Sequence, residues 1–455
     1  MEAAIHCVPH KHRDSSHAAC EPWCRRSHCG HWCRCSACTA CKVGVELPRC
    51  RYDHQPLRGR WHRQPFGGFR NKEACIDKHR GEPGHFAPSN CSLQRHGVTR
   101  LRGNLMLVGD SLMQFQFDAL VAWLNRAGRH MKCRPVHRSE AMAAAARQTA
   151  ATSAAGGSSS SGSGSGSSGG GSGGSSGSLR ERMAELLFAN RYQGTEMDCV
   201  AANAPALKLS VRRLNLLPPS EAALAPILDG LLGSVGRHGI ALLNVGLWYG
   251  PLARRGARHA AAASLAEEDV TDRREREARR LLADGVDALI RLACRRADTW
   301  PRLLWREQLP QHYPGGGTYR HRNRSSARSA ECVALSQADA ERMHRTHARP
   351  AMDAFRRAAA ATRRQARGRA HDGAQDGEGQ CRSARVGALP AFWPLASRHK
   401  DHPARALAGS GTSSKTDCTH FLPCSGSMML LNRLLLDAVV RANGGSDGGG
   451  RKSAI

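Results

Sequence analysis

The sequence predicts an α/β fold, a parallel sheet covered by helices with a disulfide-stapled, loop-rich N-terminal lobe and disordered insertions. Three observations predict it. Short apolar runs of strand length, NLMLV (104–108) and GIALLNVG (239–246), alternate with segments of helical apolar spacing. The cysteines outside the head are dispersed through the chain, as in disulfide-bonded proteins. An almost pure Gly/Ser tract lies inside the chain, so the fold is read across it.

Residues 1–49 form a Cys/His-rich head. Cys33, Cys35, Cys38 and Cys41, with His28 and His31, are of the types zinc prefers, but they sit too close together for two separated ligand pairs. The head is expected to be disordered, and no metal site is expected. Residues 50–100 read as the loop-rich lobe, with Cys50, Cys75 and Cys91 and a turn-like stretch ending in Gly59-Arg60-Trp61. Residues 101–442 read as the α/β domain, interrupted by a disordered 140–178 and a mobile stretch within 320–387; 443–455 are expected to be a disordered tail.

Within that domain the strand at 104–108 is followed by a helix over about 112–124, where Leu112, Phe115, Ala119, Leu120 and Trp123 recur at helical spacing. LKLSVRRLNLL (207–217) alternates apolar and polar residues and closes at Pro218-Pro219, a strand signature. Leu281, Leu282, Val286, Leu289, Ile290 and Ala293 define the apolar face of a charged helix. Leu303–Trp305 is a short strand candidate, 338–367 a helix, and Met428–Ala442 a last helix with a Leu-rich stripe.

Lys and Arg total 67 against 38 Asp and Glu, a formal net charge of +29. Such a field attracts polyanions, including acidic polysaccharide. Arg is abundant along the whole chain and no nucleic-acid-binding module accompanies the charge, so nucleic acid is not the expected partner. No run reaches the roughly 18 apolar residues that span a bilayer. No secretory signal is legible after Met1, so a secretory-route protein is expected to begin upstream of it.

Two segments carry chemistry. Val108-Gly109-Asp110-Ser111-Leu112 sits where a buried strand becomes a helix, the edge of an open α/β sheet where ligands bind. Unpaired amides and the positive end of the helix dipole favour a developing oxyanion there. Thr416-Asp417-Cys418-Thr419-His420 lies just before the last helix. A serine hydroxyl needs a base to become a nucleophile, and an imidazole oriented by a carboxylate supplies one. Ser111, Asp417 and His420 are therefore the candidate catalytic residues. Taken singly, Ser111 also suits a helix cap and His420 a loop histidine.

The chain resembles the PC-esterase branch of the SGNH/GDSL superfamily, and within it the trichome-birefringence-like plant-type polysaccharide O-acetyltransferases. The resemblance rests on Cys50 with Gly59-Arg60-Trp61, on Cys91 with RLRGNLMLVGDSL (100–112), on Asn244–Tyr249, on Arg306–Tyr313 with Pro310 and His312, and on DCTHFLPCSG with Leu431-Asn432. It covers roughly residues 50–133, 180–320 and 388–441. Met113-Gln114-Phe115-Gln116 keeps only the Gln of the family's x-R-N-Q, and the second Cys of the closing motif has moved to Cys424.

The resemblance implies an SGNH-hydrolase-like sheet and O-acetyl transfer to a cell-wall or glycan polysaccharide through an acyl-serine. No bound cofactor is implied; an acetyl donor, acetyl-CoA or another acetyl carrier, serves as co-substrate. Gly109, Asp110, Asn244, Gly246, Trp248 and His312 are the candidates for oxyanion or substrate contact, although Trp248 and His312 also suit structural roles. Cys50, Cys75, Cys91, Cys332, Cys418 and Cys424 are the disulfide candidates, with connectivity open. The implied location is the Golgi and secretory pathway, with membrane contact only through an anchor upstream. The alternatives are a carbohydrate or lipid esterase using the same triad, a non-catalytic binder of acidic glycan, and a zinc-dependent nucleic-acid protein resting on the head.

Overall fold

The computed structural model describes residues 50, 57–62, 85–89, 91, 93, 96–136, 196–249, 267–313, 332–371, 386–402, 417–422 and 425–444. The Cys/His-rich head, the 140–178 insertion, Cys75, Cys424 and the tail from 445 lie outside the described residues. The strands are β1 (Gly59–His62), β2 (His85–Pro88), β3 (Asn104–Gly109), β4 (Met131–Pro135), β5 (Met197–Ala201), β6 (Ala204–Arg213), β7 (Ile240–Asn244), β8 (Arg302–Arg306) and β9 (Val386–Leu389). The α-helices are α1 (Ser111–Arg126), α2 (Glu221–Leu232), α3 (Glu267–Arg295), α4 (Gln337–Met343), α5 (Arg349–His371), α6 (Phe392–Leu395) and α7 (Gly426–Gly444).

Seven strands form one sheet in the order β4-β5-β6-β3-β7-β8-β9. The run from β6 through β3, β7 and β8 to β9 is parallel. Met106 and Val108 of β3 face one apolar layer, and Leu105 and Leu107 the other; Ala241 and Leu243 of β7 divide from Ile240 and Leu242 in the same way. The first layer includes Leu228 of α2, Leu289 of α3 and Phe355 of α5, and the second Phe117 of α1 and Leu431 of α7. Both faces are covered, which is why these strands read as unbroken apolar runs.

The sheet is mixed rather than wholly parallel. β5 and β6 form a hairpin across Ala202-Asn203, and β4 pairs antiparallel to β5 at the edge. All of β4 after Met131 is exposed, so this edge carried no apolar run to betray it. The expected strand over 207–217 is shifted: β6 spans Ala204–Arg213, and Leu214, Leu216 and Leu217 leave the ladder to pack beneath α2 and α3. The expected turn at Gly59-Arg60-Trp61 is strand β1, paired antiparallel with β2.

Helix α2 was not anticipated. Ser220 caps it, its side chain accepting from the Ala223 amide at 3.3 Å, and Leu224, Ile227, Leu228 and Leu231 supply the apolar stripe despite Pro226. The helix expected over 338–367 is α4 and α5 joined by a π-helical turn at His344–Ala348. Pro350 follows that turn and brings no amide hydrogen, so the i→i−4 ladder cannot run through it unbroken.

Three disulfides join described residues: Cys50–Cys91, Cys133–Cys199 and Cys332–Cys418. The second locks β4 to β5 at directly paired positions. The Cys50–Cys91 link ties the N-terminal lobe together, and Arg441 of α7 donates to the Cys50 carbonyl. Such bonds suit an oxidising, secretory-pathway environment. No helix among the described residues is long and apolar enough to cross a membrane.

Candidate active site

The site forms at the carboxyl ends of the central strands. β3 ends at Gly109, where a Cβ would meet the Asn244 carbonyl oxygen at 2.1 Å and Met113 Cγ at 2.5 Å. Only glycine lets β3 finish this close to β7 and turn at once into α1. Asp110 caps α1, its Oδ1 accepting from the Leu112 amide at 2.9 Å. Ser111 is the first residue of that helix and is buried.

The opposing loop, 417–422, is held at several points. Cys418 is bonded to Cys332, and its carbonyl accepts from the His312 amide at 3.0 Å. The Leu422 amide donates to the Asp401 carbonyl at 2.8 Å. Asp417 Oδ1 accepts from the amides of Thr419 and His420 at 3.0 and 3.2 Å, bending the D-x-x-H segment into a tight side-chain-capped turn.

That turn aims the imidazole. His420 Nδ1 lies 2.6 Å from Asp417 Oδ2, and its Nε2 lies 2.6 Å from Ser111 Oγ. Since a carboxylate only accepts, Nδ1 carries the hydrogen and Nε2 is left to accept from the hydroxyl. Burial resists ionisation of Asp417, but the charge of His420, the ring hydrogen bond and the two amides outweigh it and hold the carboxyl below its usual range. Phe115, one helical turn after Ser111, stacks on the His420 ring with centroids 4.7 Å apart and planes 27° apart. The sequence places Phe115 only on the apolar face of a helix; its contact with the His420 ring depends on a loop far along the chain.

A buried polar cluster lies at the ends of β7 and β8. Arg306, at the end of β8, donates to Gln116 Oε1 at 2.5 Å and to Asn244 Oδ1 at 2.9 Å. Asn244 Nδ2 returns a hydrogen bond to the Arg306 carbonyl at 3.0 Å. Burial pushes the Arg306 guanidinium down to about 10, opposed by the charge of Asp110. Burial pushes Asp110 up, opposed first by Arg306 and then by the Leu112 amide, His420 and Arg213. The two acids of the site are thus driven apart, Asp417 down and Asp110 up.

The remaining candidates take several positions. Asn244 is committed to Arg306 as described. Gly246 lies against Gln308, whose Oε1 would stand 2.6 Å from an added Cβ. Trp248 is buried in the apolar layer with α2 and α3, and Tyr249 beside it hydrogen-bonds through its hydroxyl to the Leu217 main chain. His312 is buried and lies next to His402, with Nδ1 2.6 Å from His402 Nε2. Gln114, where the resemblance expects an arginine, donates to Asp118 at 3.0 Å. His402 carried no sequence signal, since nothing near it in the chain marks it as part of a site. Arg306 stood out only as the first residue of the Arg306–Tyr313 segment.

No group of three or more His, Cys, Asp or Glu side chains among the described residues is placed to hold a metal ion. No family model matches the sequence, and no curated protein matches it.

Proposed function

We propose that this chain is a serine-dependent O-acyltransferase of the SGNH/GDSL superfamily, PC-esterase branch, which acetylates a glycan or cell-wall polysaccharide in the secretory pathway, in the Golgi. The observation that carries the reading is the continuous pair of 2.6 Å contacts from Ser111 Oγ through His420 to Asp417. The three disulfides support the compartment.

As Ser111 Oγ attacks the donor's acyl carbonyl, its proton passes to His420 Nε2. Asp417 holds the ring tautomer and stabilises the imidazolium that forms. The Leu112 amide is already spent on Asp110, so the Ser111 amide at the helix N-terminus is the donor to the oxyanion. Collapse breaks the bond to the leaving group, which takes the proton from His420, and the acyl ester stays on Ser111. A sugar hydroxyl then gives its proton to His420 and attacks the ester carbonyl; the bond to Ser111 Oγ breaks as Oγ takes that proton from His420, releasing the acylated sugar and restoring the starting state.

The test pairs fluorophosphonate labelling with transfer from a labelled acetyl donor, with and without oligosaccharide. Ser111→Ala should abolish labelling and lower transfer by about three orders of magnitude or more. Acetate release that ignores the sugar indicates an esterase. A folded wild type that neither labels nor transfers, yet retains acidic glycan, indicates a binding protein.

A further inference from the structure

Four polar groups lie in series behind the base. His420 O stands 2.6 Å from His402 Nδ1, His402 Nε2 stands 2.6 Å from His312 Nδ1, and His312 Nε2 stands 2.9 Å from Ala396 O. Both rings are buried. They belong to segments far apart in the chain, and Phe421 packs against both rings, its centroid 4.2 Å from that of His402 and 6.1 Å from that of His312.

The two ends are carbonyl oxygens, which only accept. A neutral imidazole has one N–H, so two neutral rings bring two hydrogens to three contacts. Three arrangements satisfy two contacts each. In one, His312 Nδ1–H donates to His402 Nε2, and His402 Nδ1–H donates to the His420 carbonyl. In the second the chain of donors runs the opposite way and abandons His420; in the third His402 Nδ1–H donates to the His420 carbonyl and His312 Nε2–H to the Ala396 carbonyl, and the contact between the rings has no hydrogen. A third proton would complete all the contacts, but burial pushes His312 down to about 4 and His402 well below its ordinary value. The charged groups facing the pair divide: His399 opposes a positive charge on His312, Asp417 favours one on His402, and His420 opposes it. Asp401 is engaged by Arg398 and Ser427.

We propose that His402 is a positioning residue for His420, gripping its main-chain carbonyl through the Nδ1–H tautomer that two of the three arrangements share. The positioning role rests on the acyl-transfer reading above; the tautomer does not. The grip matters because His420 reaches Ser111 from a loop, and a shift of about 1 Å in a reacting group costs on the order of 100-fold in rate.

His402→Phe and His402→Asn separate this role from packing. Phe preserves the ring against Phe421 and loses the donor; Asn leaves space but places an amide N–H near the Nδ1 position. The expected result for fluorophosphonate labelling of Ser111 is a rate about 10- to 100-fold lower for His402→Phe with reagent affinity unchanged, and recovery to within about threefold of wild type for His402→Asn. Rapid labelling of His402→Phe, or equal slowing of both folded variants, overturns the proposal. Ring ¹⁵N spectra of the intact wild-type protein at pH 7 provide the second measurement: His402 should carry its hydrogen on Nδ1, and a hydrogen on Nε2 overturns the proposal even if the labelling rates agree. Should the wild type not label at all, the acyl-transfer reading and the positioning role with it fall, while the spectra still decide the tautomer.

Discussion

Asp417→Asn keeps the shape of the side chain and removes its charge, and its consequence follows from what each oxygen does. Oδ1 accepts two amides, at 3.0 and 3.2 Å, and Oδ2 accepts from His420 Nδ1 at 2.6 Å. An asparagine has one acceptor. Two amide hydrogens claim that oxygen, so the NH₂ group turns toward His420 Nδ1. Two donors cannot face each other, and the ring moves its hydrogen to Nε2, directly opposite Ser111 Oγ. The base then cannot take the serine proton. A wrong tautomer in an otherwise intact triad costs about 10⁴-fold, or about 5 kcal/mol of transition-state stabilisation at about 1.4 kcal/mol per decade. Fluorophosphonate labelling of Ser111 reads the loss, with thermal unfolding as a control for the fold. Because the two residues act as one unit, Asp417→Asn combined with His420→Ala should label no more slowly than His420→Ala alone. Labelling of Asp417→Asn within about tenfold of wild type would refute the tautomer argument.

Three other outcomes are expected. With His312 pushed down to about 4, the folded state refuses a proton that the unfolded chain accepts below about 6.5, so its share of stability is full at neutral pH and lost as pH falls from about 6.5 to about 4. Those 2.5 or so units amount to about 3 kcal/mol, and His312→Gln should show a correspondingly flatter urea midpoint against pH than wild type. Replacing Cys332 and Cys418 together by Ser should cost about 2–4 kcal/mol in denaturant unfolding and slow Ser111 labelling, because Cys418 anchors the turn that carries Asp417 and His420. Arg306→Met leaves Asp110 without its largest favourable charge and should destabilise the fold by about 3–5 kcal/mol in the same assay; adding Asp110→Asn should restore part of that loss.

Local structure was legible wherever neighbouring residues decide it. Gly109 and Ser111 mark the tight strand end and the helix start, although the cap that the sequence offers at Ser111 is Asp110, one residue earlier. Asp417 and His420 are three apart, the spacing at which one carboxylate reaches both the turn amides and the ring. The apolar runs of β3, β7 and β8 and the stripes of α1, α3 and α7 were visible because each element buries a periodic face. Exposed β4 shows no such pattern, which is why its edge and the antiparallel turn of the sheet went unread.

Neighbouring residues specify the central strands, most of the helices and the two short segments that carry Ser111, Asp417 and His420, because propensity, capping and periodicity act over a few residues. The tertiary structure alone decided that Ser111 and His420, 309 positions apart, are hydrogen-bonded, that Arg306 holds Gln116 and Asn244, which cysteines pair, and that two histidines stand behind the base. The physical reason is range: a hydrogen bond or a disulfide forms only where two groups come within a few ångströms. Here that proximity is set by the order of the strands and the packing of α1 and the 417–422 loop, which no stretch of neighbouring residues specifies.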